Sequence, residues 1–203
     1  MTEVEKTTEA KILEAANTVF IRKGYSGASM QEIADEAGIN KALLHYYFRS
    51  KEKLFRAGFS NVFSKFVPAV TEMMMSDKSF EEKMDLFVDN YIDTLHENPL
   101  IPLFVLQELN RDPDNLFGLM KSSGMQPQLL IKVILEEMEK GNIPKGDPRH
   151  FFINLLGLCV FPYAARPLMQ RIFFNNDQEA YDAFLLERKK VIKNLIHKMI
   201  NQK

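Results

Sequence analysis

Apolar residues along this chain recur with the spacing of α-helices, and no stretch alternates as a β-strand would. Ile12, Ala15, Ala16, Val19 and Phe20 stand at i, i+3, i+4, i+7 and i+8, one apolar stripe on a helix from Thr8 to Lys23 that Gly24 ends. Ser29, three residues ahead of Glu32, forms a capping box before Ile33, Ala34 and Ala37. Gly38 supplies a left-handed exit, and Asn40 caps a further helix, Lys41 to Phe48. Ser50 caps a long fourth helix that carries Leu54, Phe55, Phe59, Val62, Phe63 and Phe66 and reaches Met75 with a kink at Pro68. A second box, Ser79 to Glu82, opens a helix with the stripe Phe80, Met84, Phe87, Val88, Tyr91 and Leu95, which Pro99 breaks.

The later elements are less regular. Leu100 to Leu109 is short and very apolar and is expected to be buried; 110–114 is expected to be a turn, with a short helical piece after it. Pro127 to Lys140 is a helix ended by Gly141. Asp147-Pro148 starts a helix apolar almost all round, from Phe151 to Phe161, which Pro162 and Pro167 end or bend. Asp177 caps the last helix, which reaches Ile200 with Tyr181, Phe184, Leu185, Arg188, Val191, Ile192, Leu195 and Met199 along one side. The expected fold is all-α with about nine helices: an N-terminal three-helix domain over 1–50 and a larger helical domain over 51–203.

Ser29 to Leu54 carries the chemistry. Two short helices joined by a glycine turn make a helix-turn-helix, whose second helix enters the DNA major groove N-terminus first. Leu44 and Phe48, spaced i, i+4, point inward, while Lys41, Ala42, His45 and Tyr46 share the other face. A lysine, an imidazole and a phenol on one face suit base edges and phosphates. Charge supports this locally. The whole chain has a net charge of −1, yet between Ala37 and Ala57 five basic residues stand against Glu52, an excess of +4. A basic patch on a near-neutral protein suits site-specific DNA binding, because phosphate neutralisation supplies much of the affinity.

Other chemistry finds little support. The single cysteine, Cys159, lies in an apolar run; it excludes an intramolecular disulfide framework, suits a reducing cytoplasm, and is expected to be a buried small hydrophobe. The polar, acidic N-terminus is not a signal peptide, and the run Phe151–Ala165 is too short to span a bilayer. His45, His96, His150 and His197 are dispersed without metal-ligand spacing, so no metal and no cofactor are expected. No zinc-protease motif, phosphate-binding glycine loop or strand-borne nucleophile is present, and no catalytic residue is assigned.

The segments ILEAANTVFIRKGY, SMQEIADEAGINK and YYFRSKEKLF, within Lys11 to Phe55, resemble the DNA-binding domain of TetR-family transcriptional regulators. Asn40, Lys41, Leu44, Tyr47, Phe48, Ser50 and Lys51 match that family's frame. The resemblance implies that Tyr47 and Lys51 touch phosphates, with Ser29 at a helix start that can donate N–H groups to another phosphate. Base readout then falls to Lys41, Ala42, Leu43, His45 and Tyr46. The chain departs from the family at Leu43, where a small residue is usual, and at His45, where tyrosine is usual. Leu43 suits a thymine methyl and His45 a guanine N7 or O6.

The resemblance also implies an effector pocket and a dimer. The chain has 16 Phe and 11 Met and no Trp, many of them in the later helices. Each taken alone is expected to be core; as a set they suit an adaptable apolar cavity. Candidate pocket residues are Phe63, Phe66, Phe87, Tyr91, Leu95, Phe104, Gln107, Met120, Met125, Phe152 and Leu155, with Tyr91, Gln107 and Asn154 as polar anchors. The two terminal helices are expected to pair with those of a second copy in an isologous four-helix bundle through Phe151, Leu158, Phe161, Phe184, Arg188, Val191 and Leu195. The function expected is a homodimeric regulator, a repressor, that binds a palindromic double-stranded operator and is released by a small apolar or amphipathic effector. The alternative is a DNA-binding regulator without small-molecule input, controlled by a protein partner or acting as an activator. An enzyme acting on a hydrophobic substrate and a purely structural dimer are further rivals with less to support them.

Overall fold

A computed structural model describes residues 8–201; the acidic stretch Met1–Thr7, with the expectation attached to it, lies outside them. The described residues form eleven helices and no strand: α1 (Thr8–Gly27), α2 (Met30–Glu36), α3 (Lys41–Tyr47), α4 (Lys51–Met75), α5 (Phe80–Glu97), α6 (Ile101–Arg111), α7 (Pro113–Ser122), α8 (Pro127–Glu139), α9 (Pro148–Ala164), α10 (Arg166–Phe173) and α11 (Gln178–Ile200). The chain divides into two compact units, Met1–Phe63 and Ser64–Lys203, so the division falls inside α4.

In the first unit the expected stripe of α1 is buried with Ile33, Ala34, Leu44 and Phe48. Regular helix in α1 breaks at Gly24, whose φ of 71° is the left-handed conformation that glycine takes without steric penalty, and one further turn reaches Gly27. The start of α4 belongs to this core because Leu54 is buried and Phe55 packs edge-on against Phe20 at 4.9 Å and at a tilt against Tyr25 at 4.9 Å.

In the second unit α5 lies along α9 and α11. Its inward stripe, Phe80, Met84, Phe87, Val88, Ile92 and Leu95, meets Leu155, Cys159, Tyr181, Leu185, Ile192 and Ile196 in one core. Along the rim, acids spaced four apart on α5 face polar groups of α11. Asp93 meets Lys189 at 2.5 Å, Asp89 meets Lys193 at 2.6 Å, Asp85 meets His197 at 2.9 Å and Glu81 meets Asn201 at 2.7 Å. Each such surface pair is worth less than about 1 kcal/mol, but together they fix the register of two antiparallel helices.

Three expectations change. The Leu100–Leu109 segment is not buried throughout: Phe104 and Glu108 turn inward while Leu103, Leu106 and Leu109 face solvent. A helix of that length can turn only one stripe inward, and its apolar content exceeds the stripe. The expected turn at 110–114 is a single residue, since Asp112 ends α6 and its side chain accepts from the Asn115 N–H at 3.0 Å to begin α7. Pro167 does not simply end the apolar helix. It sits in the first turn of α10, where a missing N–H costs nothing, and so starts a helix instead.

Candidate functional site

The helix-turn-helix is assembled by local bonds. Ser29 Oγ accepts from the Glu32 N–H at 3.2 Å, and Glu32 Oε2 accepts from the Ser29 N–H at 3.1 Å, closing the expected capping box. Glu32 is also paired with Lys23 of α1, and the lysine together with the Ser29 donors holds its carboxyl below the usual carboxylate range. Arg22 reaches Glu36 at 3.2 Å, a second tie between α1 and α2. Gly38 has φ 66° with open space where a Cβ would stand, so backbone conformation alone calls for glycine there. Asn40 Oδ1 then accepts from the Leu43 N–H at 2.7 Å and starts α3.

α3 has one buried and one open face. Leu44 and Phe48 anchor it from inside, while Lys41, Ala42, Leu43, His45, Tyr46 and Tyr47 are exposed. Tyr46 is 80% exposed and meets Tyr47 edge-on at 5.5 Å, so this face carries two large aromatics that the domain itself does not cover. Ser29 is exposed as well, with its hydroxyl held by Glu32 Oε2 at 2.9 Å.

Lys51 is placed differently from its neighbours. Its Nζ donates to the Tyr25 carbonyl at 2.8 Å and the Ala28 carbonyl at 2.9 Å, and sits 4.6 Å above the Tyr25 ring. The ammonium thus ties the first turn of α4 to the junction between α1 and α2, and one N–H at most is left for a phosphate. Sequence spacing alone could not show this, because the acceptors are backbone atoms more than twenty residues away.

The residues expected to line an effector pocket separate into groups. Phe66, Phe87 and Tyr91 form one aromatic cluster, with Tyr91 at 5.2 Å from Phe66 and 5.3 Å from Phe87. Phe66, Tyr91 and Phe152 are half-buried against the core, and Phe87, Leu95 and Leu155 lie inside it. Burial pushes the Tyr91 phenol well above its ordinary acidity range. Phe63 stacks on Phe59 at 4.3 Å in the first unit. Phe104 is buried, Met120 and Met125 are half-buried, and Gln107 is exposed on α6 and gives no anchor to the Tyr91 cluster. Asn154 is exposed too. Cys159 is fully buried, and burial pushes its thiol up to about 12, as suits a packing residue rather than a nucleophile.

The residues expected at a dimer face also divide. Phe151 is only 4% exposed, packed on Phe80 at 5.6 Å, and so has no surface to offer a partner. The other six, Leu158, Phe161, Phe184, Arg188, Val191 and Leu195, are open or half-open on α9 and α11. Four of them line a groove of about 560 Å³ together with Gly157, Pro162 and Tyr181, and Met169, Phe173 and Phe174 close it at the α10 end. Pro162 shapes it. Having no N–H, it leaves the Leu158 carbonyl without a helical donor, and Arg188 Nη2 of α11 donates to that oxygen at 3.0 Å. Tyr181 likewise donates to the Pro162 carbonyl at 2.7 Å. Arg188 Nε is buried without a hydrogen-bond partner.

Among the described residues no single helix is long and apolar enough to cross a membrane; α9 and α10 reach that length only together, across a bend of 71°.

Residues 12–57 match the model of bacterial regulatory proteins of the tetR family. Over 179 residues, 86% of each chain, the sequence is 27% identical to the probable HTH-type transcriptional regulator YttP of Bacillus subtilis. The fold is similar to that of the TetR-family transcriptional regulator PfmR of Thermus thermophilus, with a TM-score of 0.68, 21% identity and 97% of each chain covered. It is also similar to the transcriptional regulator FadR of Bacillus subtilis, solved in complex with stearoyl-CoA, with a TM-score of 0.64, 19% identity, and 92% of this chain and 98% of that one covered. A buried-anchor helix with an open polar and aromatic face, set on the matching segment, agrees with these likenesses: residues 12–57 match the tetR family of bacterial regulatory proteins, and the chain as a whole is similar in sequence and fold to transcriptional regulators of that family.

Proposed function

We propose that this protein is a homodimeric repressor that reads a palindromic operator with two copies of α3 and is released by a small apolar or amphipathic effector. The observation that carries the DNA-reading part is the open face of α3, where Lys41, Ala42, Leu43, His45 and Tyr46 stand on a unit whose caps and core hold them fixed. Major-groove edges differ in donors, acceptors and methyls, and these side chains offer a cation, an imidazole, a phenol and apolar surface. Tyr47, Ser29 and the remaining N–H of Lys51 would contact phosphates and set the register. Asn40 would add its amide N–H groups, since its oxygen caps α3.

The effector would occupy the space beside Phe66, Tyr91 and Phe152. Support comes from their half-burial, from the single phenol set among aromatics, and from FadR, whose structure holds an acyl-CoA. Because α4 belongs to both units, a ligand that prefers one position of α4 would change the separation of the two reading helices. It would lower DNA affinity by its differential affinity for the two states and by no more. The dimer would form through the open residues of α9 and α11 in an isologous bundle.

Selection of bound duplexes from a random pool tests the DNA-reading part. The expected result is a palindrome with half-sites about one helical turn apart, or a multiple of it. An asymmetric single half-site would contradict the dimer, and no enrichment at all would contradict base readout.

A second reading keeps the operator and omits the effector, leaving control to a protein partner. It is favoured by the tight burial of Phe87, Leu95 and Leu155, at 1–3% exposure, where a ligand cavity had been expected. Long-chain acyl compounds that raise the melting temperature and release DNA would exclude it.

A further inference from the structure

We propose that the groove between α9, α10 and α11 is a binding site for a monocarboxylic acid with an apolar body, whose charged end Arg188 holds. The site is separate from the effector site proposed above, since Phe66, Tyr91 and Phe152 do not line it. Its volume of about 560 Å³ lies within the roughly 300–1,000 Å³ of small-molecule sites. Five rings line it, those of Phe161, Phe173, Phe174, Tyr181 and Phe184, and the Tyr181 hydroxyl is already bonded to the Pro162 carbonyl. Arg188 is the one charged side chain among the lining residues.

That cation is unsatisfied. Of its five N–H groups, one on Nη2 meets an acceptor, the Leu158 carbonyl at 3.0 Å. Nε is buried with no hydrogen-bond partner, and among the described residues no carboxylate pairs with the guanidinium. Arg166, at the start of α10, shows the contrast, because its Nη2 meets Asp182 at 2.5 Å. A desolvated N–H without an acceptor opposes folding, and a guanidinium fork matches the two oxygens of a carboxylate. A single cation balances a single negative charge. A phosphate dianion would leave uncompensated charge among phenylalanines, so the groove favours a carboxylate on an apolar body.

Gly157 is an independent observation. It stands inside α9, where glycine weakens a helix relative to alanine, and its φ is not in the left-handed range. A Cβ built there meets nothing within 4 Å, so neither backbone conformation nor packing within the chain calls for glycine. What the missing side chain leaves is open space in the groove wall, where the body of a ligand can lie against the helix. The rings and Gly157 would also suit a second copy of the chain, since the groove shares Leu158, Phe161, Phe184 and Arg188 with the proposed dimer face. The unmatched guanidinium is what points to an acid.

Decanoate and 1-decanol, equal in length and different in charge, test this when titrated into the full chain below their aggregation concentrations. Calorimetry gives the affinities, and the methyl NMR signal of Met169, a groove residue, reports the place of binding. Decanoate should bind at least about tenfold more tightly than 1-decanol and should move the Met169 signal. Arg188→Met should erase that preference, and Arg188→Lys should keep part of it. Gly157→Leu, which leaves Arg188 intact, should weaken both ligands at least about tenfold, with circular dichroism checking that each variant is folded. Equal affinity of the parent for acid and alcohol would overturn the proposal. Decanoate that binds without moving Met169 would overturn the groove site and leave the effector reading standing. If Gly157→Leu weakens self-association in sedimentation equilibrium and leaves decanoate binding unchanged, the groove belongs to a second copy and the proposal falls.

Discussion

The two units of this chain use apolar surface in opposite ways. In the first, a few buried residues, such as Ile33, Leu44 and Phe48, hold an exterior whose open side chains are mostly charged, polar or aromatic, with Ile21 and Leu43 the large aliphatic exceptions, and most of the local bonds are caps and turns. In the second, apolar residues outnumber the places a core can take them, and the excess appears as open faces on α6, α9, α10 and α11. A unit with a small core and a dressed surface is built to present one fixed face to a ligand such as DNA. A unit with surplus apolar surface is built to be covered by something else.

That contrast can be broken by substitution, and the largest effect should come from the covered faces. Val191→Glu would place a charge in the α11 face and should separate the proposed dimer. Loss of the linkage between two half-sites should lower operator affinity by about 10²-fold or more, measured by fluorescence anisotropy. Leu44→Ala removes the anchor of α3 and should destabilise the protein by about 2–5 kcal/mol in chemical denaturation, with operator binding lost before the second unit melts.

Lys51 sharpens the comparison inside the first unit. Its replacement by Met removes two hydrogen bonds to carbonyls and should cost about 1–3 kcal/mol of stability, because those acceptors are left unpaired. If its remaining N–H also meets a phosphate, the slope of log affinity against log salt should fall by about one. A changed slope with unchanged stability would reverse the structural assignment.

The smallest effect is electrostatic. Asp147 caps α9 and is held near 2 by the Arg149 guanidinium beside it, well below the ordinary aspartate value of about 3.9. A carboxyl depressed in the folded state stabilises it above the unfolded value and loses that contribution as pH falls through the folded value. The melting-temperature difference between the parent and Asp147→Asn should therefore be present at pH 6 and vanish between about pH 4 and pH 2.

How far the sequence reached differs between the units for the same reason. Capping boxes, glycine exits and i, i+4 anchors are local, so Ser29, Glu32, Gly38, Asn40 and Leu44 could be placed from spacing alone. The task of Lys51 could not, because Tyr25 and Ala28 offer backbone oxygens brought near only by folding. In α9 nearly every position is apolar, and periodicity cannot choose which side faces inward; hence Phe151 was expected at an interface and lies in the core. Gln107 and Asn154 were expected as pocket anchors on the same kind of pattern and are exposed. Pro167, expected to end or bend the apolar helix, begins α10 instead. The rim pairs of α5 and α11 do have a signal in the sequence, acids at 81, 85, 89 and 93 spaced four apart on one face.

The central claim is that α3 reads bases through the open face bearing His45 and Tyr46. The direct measurement is the affinity of the parent, His45→Ala and Tyr46→Ala for the selected operator and for a random duplex of equal length at one salt concentration. Both variants should lose about 1–3 kcal/mol on the operator and almost nothing on random DNA, with the base preference relaxed at the position each one contacts. Equal losses on both duplexes would show that these side chains meet only the backbone, and would contradict the account.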